Sequence, residues 1–328
     1  MTPRSIRSSA AVLFCAIALC IGSVPVPARA SDVVRIAIVN STDSSSEPLY
    51  ADAEGFFERA GITPQITSFT SGASVLAAIV GGSIDVGFAN PLTVALAYQK
   101  GIPVVILAPA MMYTARATPV WLVEAKGPRA RTGADLNGKI IAVSSLSGEL
   151  QLHVAAWMDK AGGNSSSAHF IELSGSATVA ALTAGRIDAA TLGEPELTLH
   201  RDDVQIVGDA YSGISPIGLG GVFVASKQWT QEHEQDARQV RDVLLETARW
   251  ANSHQPESAV VLAQYAKLDV STAKMMHRIQ FGEVLSPQLM QPLFDVALKY
   301  GYLKQPVNAT TFLAAMAPFP PATATRKQ

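Results

Sequence analysis

Cysteine is nearly missing from this chain: there are two, Cys15 and Cys20, and both fall within the first twenty residues. Those residues read as a secretory signal peptide. Arg4 and Arg7 precede the apolar run Ala10–Gly22, and Ala28-Arg29-Ala30 is a small-x-small cleavage site. Pro25 and Pro27 break helices, and the apolar run is too short for a span of about 20 residues. Neither cysteine follows a small residue, since Phe14 and Leu19 precede them, so a lipid anchor is not expected. Cleavage near Ala30 would leave a soluble exported product of 298 residues with no thiol and no disulfide. At that length a core is stable without staples.

Basic runs are also lacking. Cleavage removes Arg4, Arg7 and Arg29 and no acid, moving the formal net charge from −2 to −5, which argues against a nucleic-acid partner. The six histidines, His153, His169, His200, His233, His254 and His277, include no pair at metal-ligand spacing, so no metal is expected. There is no GxGxxG, no phosphate-loop lysine and no G-x-S-x-G elbow; Gly213-Ile214-Ser215-Pro216 comes nearest to the last. Neither a cofactor nor an enzyme is expected, although a triad need not be local in sequence.

What the chain does contain is a repeat. SGASVLAAIVGGSIDVGFANP (Ser71–Pro91) aligns without a gap with SGSATVAALTAGRIDAATLGE (Ser174–Glu194) at a constant offset of 103. In the first copy Val75, Leu76, Ile79 and Val80 recur at helical spacing behind Ser71 as N-cap, and Gly81-Gly82 stops the helix. Ile84, Val86 and Phe88 then alternate as a strand. The second copy repeats this with Ser174 as cap, Gly185 as stop, and Ile187 and Ala189 in the strand. Asp85 and Asp188 hold equivalent places and read as structural, tying the glycine turns.

The similarity extends upstream. VVRIAIVN (Val33–Asn40) followed by one helix in EPLYADAEGFFERAGI has the plan of Gly138–Gly163. Strand–helix–strand–helix–strand therefore occurs twice. The expected fold is α/β with two lobes, each a mostly parallel sheet with helices on both faces. The apolar runs Pro119–Ala125 and Gly220–Ser226 read as the two strands crossing between lobes. This divides the chain into a signal peptide (1–30), lobe 1 (31–118 and 220–328) and lobe 2 (119–219). QDARQVRDVLLETARWANS, ESAVVLAQYAKL and FDVALKYGYL read as C-terminal helices, with a frayed tail PATATRKQ.

Several segments together resemble the periplasmic substrate-binding proteins of ABC importers, in the nitrate/taurine/alkanesulfonate and thiamine-precursor group. They are YADAEGFFERAGI, GGSIDVGFANP, GADLNGKIIAV, GRIDAATLGEP and ETARWANSHQPESAVVLAQY, and they span nearly all of the mature chain. The resemblance implies a type II binding-protein fold that closes on a hinge. It also implies a small-molecule ligand between the lobes and delivery to an ABC permease in the inner membrane. Many relatives carry Trp before the Glu-Pro of the second unit; Gly193 stands there instead. A sensory module serving a membrane kinase shares the fold. A pyrimidine-forming relative would need clustered cysteines that the mature chain does not have. A monomer is the default, since a clamp needs no second subunit.

In open parallel sheets the ligand lies beyond the carboxyl ends of the strands. Candidate ligand residues there are Asn40, Ser41, Thr42, Asp43, Ser71, Gly72, Asn90, Ser147, Gly148, Ser174, Gly175 and Glu194. The Ser-Gly pairs each open a helix whose unpaired N–H groups attract anions, though single Ser-Gly pairs are ordinary caps. Acidic Asp43, Glu149 and Glu194 on the rim would repel a bare oxyanion and welcome an amine or heterocyclic N–H. Glu194 before Pro195 equally suits local backbone bonding. Tyr50 is the aromatic candidate, Arg116 either a bidentate clamp or a solvated hinge residue, and His153 either cleft-facing or structural.

Overall fold

The computed structural model describes residues 33–39, 43–127 and 130–319. The signal peptide with its cleavage near Ala30, the candidates Asn40, Ser41 and Thr42, and the tail PATATRKQ lie outside those residues. From Val33 the chain alternates strand and helix: β1 (Val33–Val39), α1 (Glu47–Ala53), α2 (Phe56–Arg59), β2 (Thr63–Phe69), α3 (Gly72–Val80), β3 (Val86–Ala89), α4 (Pro91–Gln99) and β4 (Val104–Pro109). Two strands follow, β5 (Met111–Thr114) and β6 (Val120–Ala125). The alternation then resumes as β7 (Ile140–Val143), α5 (Glu149–Lys160), β8 (His169–Glu172), α6 (Ser176–Thr183), β9 (Ala189–Gly193), α7 (Glu196–Leu199) and β10 (Val204–Asp209). After β11 (Ile217–Leu219) and β12 (Val222–Ser226) the chain turns helical, with α8 (Lys227–Glu232), α9 (Glu234–Ser253), α10 (Gln255–Ala266) and α11 (Val270–Met275). It closes with β13 (Gln280–Phe281), α12 (Pro287–Lys299) and α13 (Ala309–Ala315).

Two five-stranded sheets result, ordered β2-β1-β3-β12-β4 and β8-β7-β9-β6-β10. The orders superimpose strand for strand, so the repeat in the sequence is a repeat in topology. In each sheet one strand runs against the other four. It is β12 between β3 and β4 in the first sheet, and β6 between β9 and β10 in the second. Both odd strands come from the opposite half of the chain: β6 follows directly on the first unit, and β12 on the second. Each sheet is covered on both faces. Val34 and Ile36 of β1 pack into a cluster with α9 and α10, while Ala37 packs with α3, α4 and α12. Leu122 and Ile141 of the second sheet face α5, and Val123 and Ala142 face α6. This is the two-lobed α/β architecture expected, its mostly parallel sheets each mixed by one antiparallel strand.

The crossing between sheets lies elsewhere than expected. Pro119–Ala125 and Gly220–Ser226 are apolar because β6 and β12 sit inside their sheets with a neighbour on each side. The chain actually passes over through β5 and returns through β11, which pair antiparallel and are joined by β13 in a separate three-stranded sheet. The one helix expected over EPLYADAEGFFERAGI is two, because Gly55 at φ +69° breaks it between α1 and α2.

The two aspartates are structural, by a different device from the one expected. Asp85 accepts the N–H of Arg35 on β1 at 2.8 Å, and its own N–H donates back to the Arg35 carbonyl at 2.9 Å. Asp188 does the same to Ile140 on β7, at 2.8 and 2.9 Å. Each therefore locks the first strand of its repeat unit to the third, β1 to β3 and β7 to β9. The glycine turn is reached only through Arg35, which pairs with Asp85 and donates Nη1–H to the Gly82 carbonyl at 2.7 Å.

One buried group works against the fold at neutral pH. Glu47, at the start of α1, is 1% exposed, and neither carboxylate oxygen has a partner. Burial pushes its carboxyl well above the ordinary value of 4.5, and nearby Asp43 adds to the rise. The folded state thus holds a proton that the unfolded chain releases above pH 4.5, so this group's contribution to stability falls as pH rises from there through the raised folded value. Glu47→Gln is expected to remove that loss, gaining about 1–2 kcal/mol over wild type at pH 8 and less at pH 5.5. Urea unfolding of both proteins at the two pH values measures it; an equal difference at both contradicts the assignment.

Candidate functional site

The carboxyl ends of both sheets open onto cavities. The first, of 730 Å³, is lined by Val39 and Ser44 after β1, Thr70–Ala73 after β2, Asn90 after β3, and Ser144–Leu150 after β7. Leu76, Ala77 and Val80 of α3 and Leu96 of α4 supply an apolar wall, with Ile102 beside it. The second, of 610 Å³, continues past the ends of β8 and β9 with Leu173–Gly175 and Gly193–Glu196. Ser44, Pro119, Val120, Ser144 and Leu150 line both, so the two form one continuous cleft. Pro119 and Val120 belong there because β6 runs antiparallel, which puts its start at the edge where its neighbours end.

Among the helices that begin on this cleft are α3, α4, α5 and α6. α3 is capped by Ser71, whose Oγ accepts Ser74 N–H at 3.2 Å, while Ser74 Oγ accepts the N–H of Ser71 in return. α4 is capped by Asn90, which accepts Thr93 N–H at 2.8 Å. α5 starts behind Gly148, with Ser147 at φ +58° and its N–H bonded to Gln151 Oε1 at 2.7 Å. α6 starts one residue later than expected. Gly175, at φ +57° and ψ −143°, takes the cap position that the repeat would give Ser174, and this region of the map favours glycine. Each helix start carries partial positive charge toward the cleft.

Ser71, Gly72, Asn90, Ser147 and Gly148 therefore share the first cavity, and Asp43, Ser174, Gly175 and Glu194 the second. The acids among them are largely engaged. Asp43 is 3% exposed and ion-paired with Arg278, Nε to Oδ2 at 2.6 Å, and it accepts the Tyr50 hydroxyl. Glu194 accepts Thr198 N–H and Oγ1–H at 3.0 Å each, and His277 N–H at 2.9 Å. The Thr198 N–H bond is the local backbone bonding that a carboxylate before proline favours, while His277 reaches Glu194 from 83 residues away.

Two candidates stand away from the cleft. Tyr50 is fully buried against Trp250 and Phe281, and burial beside Asp43 pushes its hydroxyl well above the ordinary tyrosine range. It faces the core because α1 packs on α9 and α10, so it is a core tyrosine rather than an aromatic wall. Arg116 is exposed in the tight turn after β5, its N–H on Thr114 Oγ1 at 3.3 Å, and lines neither cavity. His153 is fully buried between Tyr211 and Tyr113, 3.6 Å from Glu149.

Sequence reasoning missed Arg278, which lies 235 residues from the aspartate it neutralises. Its only signal is a lone arginine among apolar neighbours in MMHRIQF. Tyr211, Lys100 and His277 on the cleft wall carried no motif at all. Among the described residues no helix is long and apolar enough to cross a membrane, and no group of His, Cys, Asp or Glu is placed to hold a metal ion.

The comparisons agree with this geometry. A protein of Brucella abortus (strain 2308), named as a binding protein, is 22% identical over 320 residues, covering 92% of this chain and 97% of its own length. Among solved structures, the aliphatic sulphonate binding protein SsuA from Escherichia coli superimposes with a TM-score of 0.68. It is 19% identical and covers 85% of this chain and 96% of its own. The nitrate-binding protein NrtA from Synechocystis PCC 6803 gives 0.71 at 12% identity, over 88% of this chain and 86% of its own. At these identities the likeness establishes the periplasmic binding-protein fold. The NMT1/THI5-like family matches residues 44–259, which include the first copy of the repeat, the second, and the strands between the two sheets. The chain belongs to the NMT1/THI5-like family.

Proposed function

We propose that this chain is the exported solute receptor of an ABC importer. It takes a small organic or oxyanionic solute, of the sulfonate, nitrate, taurine-like or pyrimidine class, into the cleft and hands it to an inner-membrane permease. The observation that carries this reading is the single cleft to which both copies of the repeat contribute their strand ends and helix starts. One copy alone would offer half a wall. In this reading 31–118 with 220–328 form one jaw, 119–219 form the other, and the β5–β11 pair is the flexing link. Ser71, Gly72, Asn90, Ser147, Gly148, Ser174 and Gly175 would contact solute. Asp43 and Glu194 would shape the wall from their bonded positions. Binding rather than catalysis fits a cleft where Asp43 and Glu194 are held in structural bonds, and the protein would act as a monomer.

A thermal-shift screen of sulfonates, nitrate, aminosulfonates, small carboxylates and pyrimidines tests this. A solute at 100 times its Kd stabilises by about 2.7 kcal/mol, which moves Tm by several degrees. The expected result is such a shift with at least one class. No shift with any of them, together with turnover of a test ester or amide, would overturn the receptor reading.

A further inference from the structure

The first cavity is not confined to the edge of its sheet. Residues of α3 and α4 line it along the whole length of both helices. On α3 they include Gly72, Leu76, Ala77 and Val80, and on α4 Thr93, Leu96, Ala97 and Lys100. Each set recurs every three or four residues, which is one stripe of a helix. The two helices lie on the same face of the first sheet, where Val75 and Ile79 of α3 share a core cluster with Val94 and Ala95 of α4. Both start at the carboxyl edge and run away from it, so their facing stripes bound a groove that leaves the cleft between them.

Polarity changes along this groove. Its entrance carries Ser71, Asn90 and Thr93. Beyond the first turn both walls are aliphatic as far as Lys100, and Ile102 stands beside its end. Val80 is 55% exposed, Ala77 is exposed, and Leu96 and Ile102 are half-buried, so this aliphatic surface is open to solvent. Alanine at 77 and 97 leaves room between the helices. A solvated helix face ordinarily carries polar residues, and a continuous apolar strip in their place is a surface that something apolar covers. The occupant arrives from the cleft, because groove and cleft are one cavity. At 730 Å³ that cavity is in the range that encloses drug-sized ligands. Nitrate or taurine would leave its walls bare.

We infer that the groove between α3 and α4 holds an aliphatic tail, and that the solute is an amphiphile with its polar head among the helix starts. The length of the groove sets the length of the tail. From Gly72 to Val80 the helix rises about 12 Å. An extended chain advances about 1.25 Å per carbon at tetrahedral geometry, so about nine carbons span it. This inference rests on the receptor reading and narrows it, favouring solutes with a medium-length alkyl chain over nitrate, taurine and unsubstituted pyrimidines.

Isothermal titration with two homologous series tests it: n-alkanesulfonates and n-alkylamines, each from two to twelve carbons, so that both signs of head charge are covered. With at least one head, affinity is expected to rise about twofold to threefold per added CH2. That is roughly 100-fold between two and eight carbons, levelling off beyond about ten. Val80→Glu puts a charge beside the last methylenes at an exposed position, and it is expected to cut the octyl-to-butyl affinity ratio at least fivefold. The wild-type series needs no variant, so it stands whether or not V80E folds. The inference is overturned by an affinity that is flat with chain length or greatest at two carbons, or by an unchanged octyl-to-butyl ratio in V80E. It is also overturned by a dimer in size-exclusion chromatography that V80E splits, which would give the groove to a second copy of the chain. In each of those cases the receptor reading survives. Absence of binding by every member of both series overturns the inference as well, and the thermal screen then decides the receptor reading by itself.

Discussion

Replacing Arg278 by alanine is expected to cost about 3–5 kcal/mol of folding stability, the usual penalty for breaking a buried ion pair from one side. The guanidinium is 8% exposed and donates from all three of its nitrogens. It donates to both oxygens of Asp43, to the Tyr50 hydroxyl at 3.1 Å, to Ser258 Oγ at 3.0 Å and to the Gln255 carbonyl at 3.0 Å. Removing it leaves Asp43, 3% exposed, as a buried charge with only the Tyr50 hydroxyl and a long bond from Ile279 N–H at 3.4 Å. Much of the loss is the penalty on the survivor, so the double variant Asp43→Asn with Arg278→Leu should recover most of it. Urea unfolding of the three variants decides the matter. A loss below about 1 kcal/mol for R278A would mean the pair is not buried as described.

Ala77→Trp is expected to weaken solute binding by more than 100-fold, about 2.7 kcal/mol, with Tm held within about 2 °C. Ala77 lies on the exposed side of α3 and lines the 730 Å³ cavity, while the same helix buries Val75, Leu76 and Ile79 in the core. An indole there projects into the space the solute needs without entering packed side chains. A tryptophan at Asp242, on the exposed face of α9 and lining neither cavity, is the control. Titration of both with the solute found in the screen should separate them. Equal affinities would place the solute elsewhere.

Much of this architecture was legible in the sequence because it is written in local patterns. The 103-residue offset, the cap at Ser71, and the Asp85 and Asp188 pair are each set by residues close in the chain or repeated within it. The strand ends followed from alternation, and the cleft from the rule that parallel sheets bind at their carboxyl edges. Failures came where the answer depends on a distant partner. Whether Tyr50 faces core or cleft is decided by α9 and α10, about 190 residues on. Asp43 looked free to meet a ligand because Arg278, which neutralises it, gives no local signal. The crossing strands were misplaced for a related reason: full burial inside a sheet and burial in a hinge produce the same apolar run. At Ser174 a single backbone torsion at Gly175 shifted the helix start, and composition does not encode which of two adjacent residues takes the cap.

The central claim is that solute sits between the two sheets and touches both. Amide hydrogen exchange, with and without the solute identified in the screen, tests it most directly. The account predicts slowed exchange at once in the 71–77 segment beside the first sheet and in the 144–150 segment beside the second. Protection confined to one of these segments, or found only at residues away from both cavities, would contradict it.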